Sequence, residues 1–125
     1  LNVVDSSGWL EYFSGTNRAN LFAEAIEKTE TLIVPSLSLF EIFKKVYKEK
    51  GEDLALKIVA HMQLGTVVNL DSRISIYAAK ISVEKSIPMA DSIIYATAQL
   101  SKAILWTQDH DFRGLQGVKF FEKKN

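Results

Sequence analysis

Apolar residues fall along this chain in two alternating patterns: short solid runs, and longer stretches in which they recur three and four positions apart. The solid runs, bounded by polar or helix-breaking residues, predict buried strands at 1–4, 31–34, 66–70 and 103–106. A shorter fifth strand is expected at 118–121, ahead of a basic tail. Pro35 and Ser36 close the second strand.

The spaced stretches predict helices. Trp9, Tyr12 and Phe13 share one face, as do Leu21, Phe22, Ala25 and Ile26 after the break at 14–17. Residues 37–50 are strongly helical, and Gly51 and Glu52 separate them from a helix carrying Ala55, Ile58, Val59 and Met62. Gly65 stops that helix. Ile74, Tyr77, Ala78 and Ile81 mark a further helix capped by Asp71 or Ser72, and a largely apolar helix, Met89–Leu100, follows the interruption at Ile87-Pro88. Short strands alternating with helices, without hairpin signals, imply strands that run parallel and are covered on both faces. The expected fold is a three-layer α/β/α sandwich with a mostly parallel, four- to five-stranded sheet, forming one domain over 1–125.

Composition narrows the function more than the fold. The 125 residues include no cysteine, which excludes disulfides, thiolate metal sites and a cysteine nucleophile. That usage fits a reducing, cytoplasmic setting. No apolar run approaches the roughly 20 residues of a membrane span, and no charged leader precedes the first strand, so neither a membrane segment nor a signal peptide is expected. Fifteen Lys and Arg balance fifteen Asp and Glu. A nucleic-acid partner would therefore be met locally rather than by overall charge.

Four acids stand apart from those on polar helix faces. Asp5 and Asp109 each follow a strand, Asp91 lies near the start of an apolar helix, and Glu41 sits within Leu39-Phe40-Glu41-Ile42-Phe43. Each has an ordinary explanation. Asp5 can cap the next helix, Asp91 can complement a helix dipole, and Asp109 can begin a turn. Glu41 falls on the polar stripe of its helix with Lys44, Lys45 and Lys48, where it can pair with Lys45. Taken together, the acids point elsewhere. Two strand-end acids in a parallel sheet open on the same edge, where ligands bind. Crowded carboxylates do not all ionise without a cation between them, and all-oxygen ligation is the chemistry of Mg²⁺ or Mn²⁺.

The order Val3-Val4-Asp5-Ser6-Ser7, then Leu39-Phe40-Glu41-Ile42, then Pro88-Met89-Ala90-Asp91 running into an Ala-rich helix, then Thr107-Gln108-Asp109-His110-Asp111-Phe112 resembles the PIN-domain nucleases. Among these it is most similar to the VapC-type toxins of prokaryotic toxin–antitoxin pairs, over essentially the whole chain. The resemblance implies a Mg²⁺- or Mn²⁺-dependent ribonuclease whose catalytic and metal-binding quartet is Asp5, Glu41, Asp91 and Asp109. Asp5, Asp91 and Asp109 would hold the metal, and Glu41 would help orient the attacking water. Asp111 would stand behind the ligands or order the turn before Phe112. Ser6 and Thr107, beside two of the acids, are either hydrogen-bond partners of the ligands or local caps. Asp5 then reads as a ligand and Ser6 as the helix cap.

The resemblance also implies an RNA substrate, a homodimer and a cognate antitoxin lying in an apolar groove near Trp9, Tyr12, Phe13, Phe40 and Phe43. Lys44, Lys45 and Lys48 are placed either to meet phosphates or simply to solvate their helix. His110 reads as an exposed turn histidine or a proton shuttle, His61 as structural, and Trp106 as core. Three other functions stay open at this level. A haloacid-dehalogenase-type phosphatase lacks its second acid, since Ser7 stands there. A receiver-type domain would have only Asp71 as acceptor. A catalytically silent PIN-like binding module would tend to lose the acids kept here.

Overall fold

Adjacent residues in the central strands point into two different cores, and this alternation lays out the molecule. Val3, Ile33 and Leu105 enter one apolar cluster, while Val4, Val34 and Trp106 enter the other. The structure, a computed structural model, describes residues 1–123. Lys124 and Asn125, the end of the expected basic tail, lie outside the described residues.

The elements run β1 (Asn2–Val4), α1 (Ser6–Ser14), α2 (Asn20–Glu27), β2 (Leu32–Pro35), α3 (Ser36–Lys50), α4 (Glu52–Met62), β3 (Thr66–Val68), α5 (Ser72–Lys85), α6 (Met89–Leu100), β4 (Ile104–Thr107) and β5 (Val118–Phe120). Short 3₁₀ turns cover Asn17–Ala19, Thr29–Thr31 and His110–Phe112. The five strands form one sheet in the order β3-β2-β1-β4-β5, every pair parallel. Helices α1 to α4 cover one face through Trp9, Phe22, Ile26, Ile42, Ile58 and Met62. Helices α5 and α6 cover the other through Ile74, Ile81, Ile94 and Tyr95, with Phe112 beside them. The three-layer α/β/α arrangement matches the sequence reading. No helix among the described residues is long and apolar enough to cross a membrane.

Trp9, Phe22 and Phe112 are completely buried, each side chain contributing about 1.5–3 kcal/mol of apolar burial. Helix α1 approaches β1 closely because Gly8 faces inward. A Cβ there would stand 2.6 Å from Val4 Cγ1 and 2.8 Å from the Phe22 ring. Helix α6 is buried on most sides, and its polar members Ser92 and Thr97 satisfy their hydroxyls on the carbonyls of Met89 and Ile93.

Element boundaries shift from expectation by one or two residues. β2 begins at Leu32 because Thr31 closes a 3₁₀ turn, and Pro35 extends it by pairing with Val68. β3 stops at Val68, leaving Leu70 exposed. β4 continues to Thr107, which pairs with Phe120 at the end of β5. One correction bears on chemistry. The cap of α1 is Asp5, not Ser6: the Asp5 side chain accepts from the Gly8 amide at 3.1 Å.

Candidate metal centre and active site

The chain runs outward from β1 through β2 to β3, then returns to place β4 on the opposite side of β1. The carboxyl ends of β1 and β4 therefore flank the point where the strand order reverses, the usual ligand crevice of an open parallel sheet. Asp5 follows β1 directly, and Asp109 follows β4 with one residue between. Asp91 enters from the first turn of α6, and Asp111 from the 3₁₀ turn after β4.

Asp5 is only 3 % exposed, at the base of this edge. Its Oδ2 accepts from Thr107 Oγ1 at 2.8 Å, and its Oδ1 accepts from Ser7 Oγ at 2.8 Å and from the Gly8 amide at 3.1 Å. Burial still pushes its carboxyl up to about 6, against these donors and with the help of the Asp109 charge. Asp109 caps the 3₁₀ turn by accepting from the Asp111 amide at 2.9 Å, and its own amide donates to Thr107 Oγ1 at 2.9 Å. Asp5 and Asp109 thus each cap a turn at a carboxyl strand end of the sheet.

Asp91, Asp109 and Asp111 each offer a carboxylate oxygen, and the three atoms lie within 4.8 Å of one another. Asp91, half-buried, is pushed up to about 8, first by burial, then by its hydrogen bond with Asp111 and the charges of Asp109, Asp111 and Asp5. The helix dipole at the α6 N-terminus favours a carboxylate, but burial among three further acids outweighs it. Of the four acids predicted, Asp5 and Glu41 are not in this three-atom group; Glu41, on α3, is tied instead to Ser6, the residue after Asp5. Ser6 Oγ donates to Glu41 Oε1 at 2.6 Å across 35 residues of sequence. The anticipated Glu41–Lys45 pair is not the one formed; Lys45 instead meets Glu49 at 3.0 Å.

Both hydroxyls flagged beside the acids thus bond acids, Ser6 to Glu41 and Thr107 to Asp5. Asp111 does not order the turn before Phe112, which Asp109 does; its carboxyl turns to Asp91. His110 is exposed and faces Glu122 at 3.4 Å, and His61 packs its ring edge against Phe13. Trp106 is buried with its indole N–H on Asn2. Asp71, the receiver-type acceptor, spends its side chain capping α5 on the Ile74 amide. Sequence reading missed Gln108, Arg18 and Glu11, which interlock behind the Thr107–Asp109 segment; nothing in their spacing links residues 90 and 97 positions apart.

The PIN domain family matches residues 3–118. This chain belongs to the PIN domain family. Its fold is shared with a chain of a toxin–antitoxin complex from Klebsiella pneumoniae, at a TM-score of 0.82 and 23% identity, covering 95% of this chain and 96% of that one. It is likewise similar to the Mycobacterium tuberculosis toxin VapC20, described as cleaving the sarcin–ricin loop (TM-score 0.76, 16% identity, 94% and 97% covered). FitAcB from Neisseria gonorrhoeae gives a TM-score of 0.76 at 16% identity, with 97% of both chains covered. At these identities the likeness is one of fold. No curated protein matches the chain in sequence. PIN domains are generally nucleases that use divalent metals, and in this PIN domain Asp91, Asp109 and Asp111 converge near the carboxyl end of β4.

Proposed function

We propose that this PIN domain is a metal-dependent endoribonuclease that hydrolyses RNA phosphodiester bonds, and that it is the toxin of a toxin–antitoxin pair. The observation that carries this reading is the convergence of Asp91, Asp109 and Asp111 within 4.8 Å above the buried Asp5. The donor set fits a hard divalent cation such as Mg²⁺ or Mn²⁺: all oxygens, with carboxylates in excess, and an Asp91 carboxyl pushed up first by burial and then by the neighbouring acids, whose charge a cation would offset. We assign Asp5, Asp91 and Asp109 to the metal, directly or through water, with Asp111 beside them. The chemistry such an ion supplies is activation of water and neutralisation of the phosphate's charge.

The side chains themselves do the positioning. Thr107 and Ser7 fix the Asp5 carboxylate, and Ser6 ties Glu41 by Oε1, leaving Oε2 as the atom we assign to orienting the attacking water. Lys44, Lys45 and Lys48 border a shallow depression of about 270 Å³ next to Glu41; we assign Lys44 and Lys48 to backbone phosphates of the RNA.

The structurally similar proteins include a chain of a toxin–antitoxin complex, and this chain carries exposed apolar surface. A groove of about 640 Å³ between α3 and α4 is lined by Leu39, Phe40, Phe43, Tyr47 and Val59, and we assign an antitoxin segment to it. Trp9 belongs to the core rather than to this groove, and Tyr12 and Phe13 pack on His61. On the opposite layer, Val83 and Met89, 81% and 73% exposed, border a second groove between α5 and α6 that suits a homodimer contact.

The deciding experiment is cleavage of RNA with and without Mg²⁺ or Mn²⁺, using Asp91→Asn alongside. Cleavage that needs the ion and disappears in the variant supports the reading. Metal-independent cleavage untouched by the substitution sinks it.

A further inference from the structure

Behind the acidic edge lies a second polar cluster that none of the assigned roles uses. Gln108, only 8% exposed, sits between Thr107 and Asp109, and its side chain turns away from them toward α1. Its Oε1 accepts from Arg18 Nε at 2.9 Å, and its Nε2 donates to Glu11 Oε1 at 3.1 Å. Arg18 Nε also lies 3.6 Å from that same Glu11 oxygen, closing the three side chains into a ring. Glu11 is fixed in turn: Thr16 Oγ1 donates to its Oε2 at 2.7 Å and Ser14 Oγ at 3.3 Å. Both ends of the Gln108 amide are therefore held, one by α1 and one by the 3₁₀ turn that follows it. α1 and the turn after it grip the segment that follows β4.

That grip acts on two site acids. Thr107 Oγ1 donates to Asp5 and accepts from the Asp109 amide, so the residues on either side of Gln108 are joined by their own hydrogen bonds. A rotation of the Gln108 backbone moves the Thr107 hydroxyl and the Asp109 carboxylate together. The guanidinium meanwhile leaves Nη2 buried without a partner among the described residues.

We propose that Arg18, Gln108 and Glu11 form a positioning network that sets the Thr107–Asp109 segment in the geometry needed for metal binding, a role that rests on the metal-centre reading of the acids. None of the three touches the ion or the RNA. Outer partners of this kind typically change metal affinity by about 10- to 100-fold when removed.

The test compares wild type with Gln108→Leu, which loses both hydrogen bonds at similar volume, and with Arg18→Met and Arg18→Lys. Amide hydrogen exchange at Asp109 and Asp111 reads the segment directly, since those N–H groups donate to Thr107 and Asp109. Faster exchange confined to these amides is expected in Gln108→Leu and Arg18→Met, with Mn²⁺ affinity by calorimetry about 10-fold weaker. RNA turnover should fall in kcat with KM unchanged, and Arg18→Lys, which keeps a cation and a donor, should fall between Arg18→Met and wild type. Unchanged exchange at Asp109 and Asp111 overturns the proposal. So does a loss that merely follows global unfolding, or a rise in KM alone, which would make Arg18 an RNA contact. A wild type that neither binds Mn²⁺ nor cuts RNA removes the metal-centre reading instead, and the exchange measurement still judges the network.

Discussion

Thr107 donates its hydroxyl to Asp5 between neighbouring parallel strands, Oγ1 to Oδ2 at 2.8 Å, while the same oxygen receives the amide of Asp109 at 2.9 Å. One fully buried side chain thus ties together the two acids that close the carboxyl ends of β1 and β4. Thr107→Val keeps the volume and removes both bonds. Asp5 would then lose a donor that lowers its pKa, raising it further. The expected result is Mn²⁺ affinity about 10-fold weaker and a stability loss of about 1–3 kcal/mol, read by calorimetry and denaturant unfolding. Thr107→Ser should restore most of both; equal defects in the two variants would show that the methyl, not the hydroxyl, matters.

Stability without metal should fall as pH rises. A carboxyl whose folded pKa lies above its unfolded value binds more protons when folded, so unfolding becomes easier on deprotonation. For Asp5 the window runs from 3.8 to about 6, and for Asp91 from 3.8 to about 8. The Asp5 effect is on the order of 3 kcal/mol. Glu11, held below its usual 4.5 chiefly by Thr16, acts in the opposite sense and only in more acidic solution. In chelator, the melting temperature of wild type is therefore expected to drop between pH 4 and 8, while Asp91→Asn shows a shallower drop and the higher value at pH 8. Added Mn²⁺ should raise the melting temperature of wild type at pH 8 and leave the variant nearly unmoved. A wild-type melting temperature that climbs from pH 6 to 8 in chelator would contradict the account.

The fold was legible because its signals are local. Solid apolar runs marked the strands and three-four spacing marked the helices, and both survive in the two cores split by Val3 and Val4. Strand ends were less legible: Pro35 reads as a terminator, yet it pairs with Val68 because β3 ends there. At the candidate site, sequence posed cap against ligand for Asp5, and the structure shows the cap, with the residue buried at the carboxyl end of β1. Helical spacing offered Glu41 a pairing with Lys45 as its ordinary reading; its partner in the structure, Ser6, is 35 residues away and invisible to periodicity. The grip of Arg18 and Glu11 on Gln108 was beyond reach for the same reason.

Gly8 is the position where α1 can approach the sheet. Gly8→Ala would place a methyl 2.6 Å from Val4 Cγ1 and 2.8 Å from the Phe22 ring, in a core where neither neighbour is exposed. Overpacking of this kind costs about 1–3 kcal/mol. Because the Gly8 amide also holds Asp5, the variant is expected to lose Mn²⁺ affinity as well as stability. Gly15, whose left-handed turn ends α1 in open space, offers the contrast. Gly15→Asn should unfold within about 1 kcal/mol of wild type and bind Mn²⁺ normally. Denaturant midpoints together with metal titration separate the two sites.

Ser6 and Glu41 link the start of α1 to α3, and the link predicts a split between binding and turnover. Glu41→Gln keeps an acceptor for the Ser6 hydroxyl at 2.6 Å but removes the charge. If Glu41 orients the attacking water, as assigned, kcat should fall by about 100-fold or more, the range of a lost general-base contribution, while Mn²⁺ affinity changes little. Ser6→Ala leaves the charge in place and frees the side chain, so a smaller drop in kcat is expected. Lys45→Ala should match wild type in turnover per bound RNA, because Lys45 is engaged with Glu49 and not with Glu41. Single-turnover cleavage at saturating RNA, paired with Mn²⁺ titration, ranks the three variants. A Glu41→Gln protein that loses Mn²⁺ binding and turnover in equal measure would move Glu41 from water orientation to metal ligation.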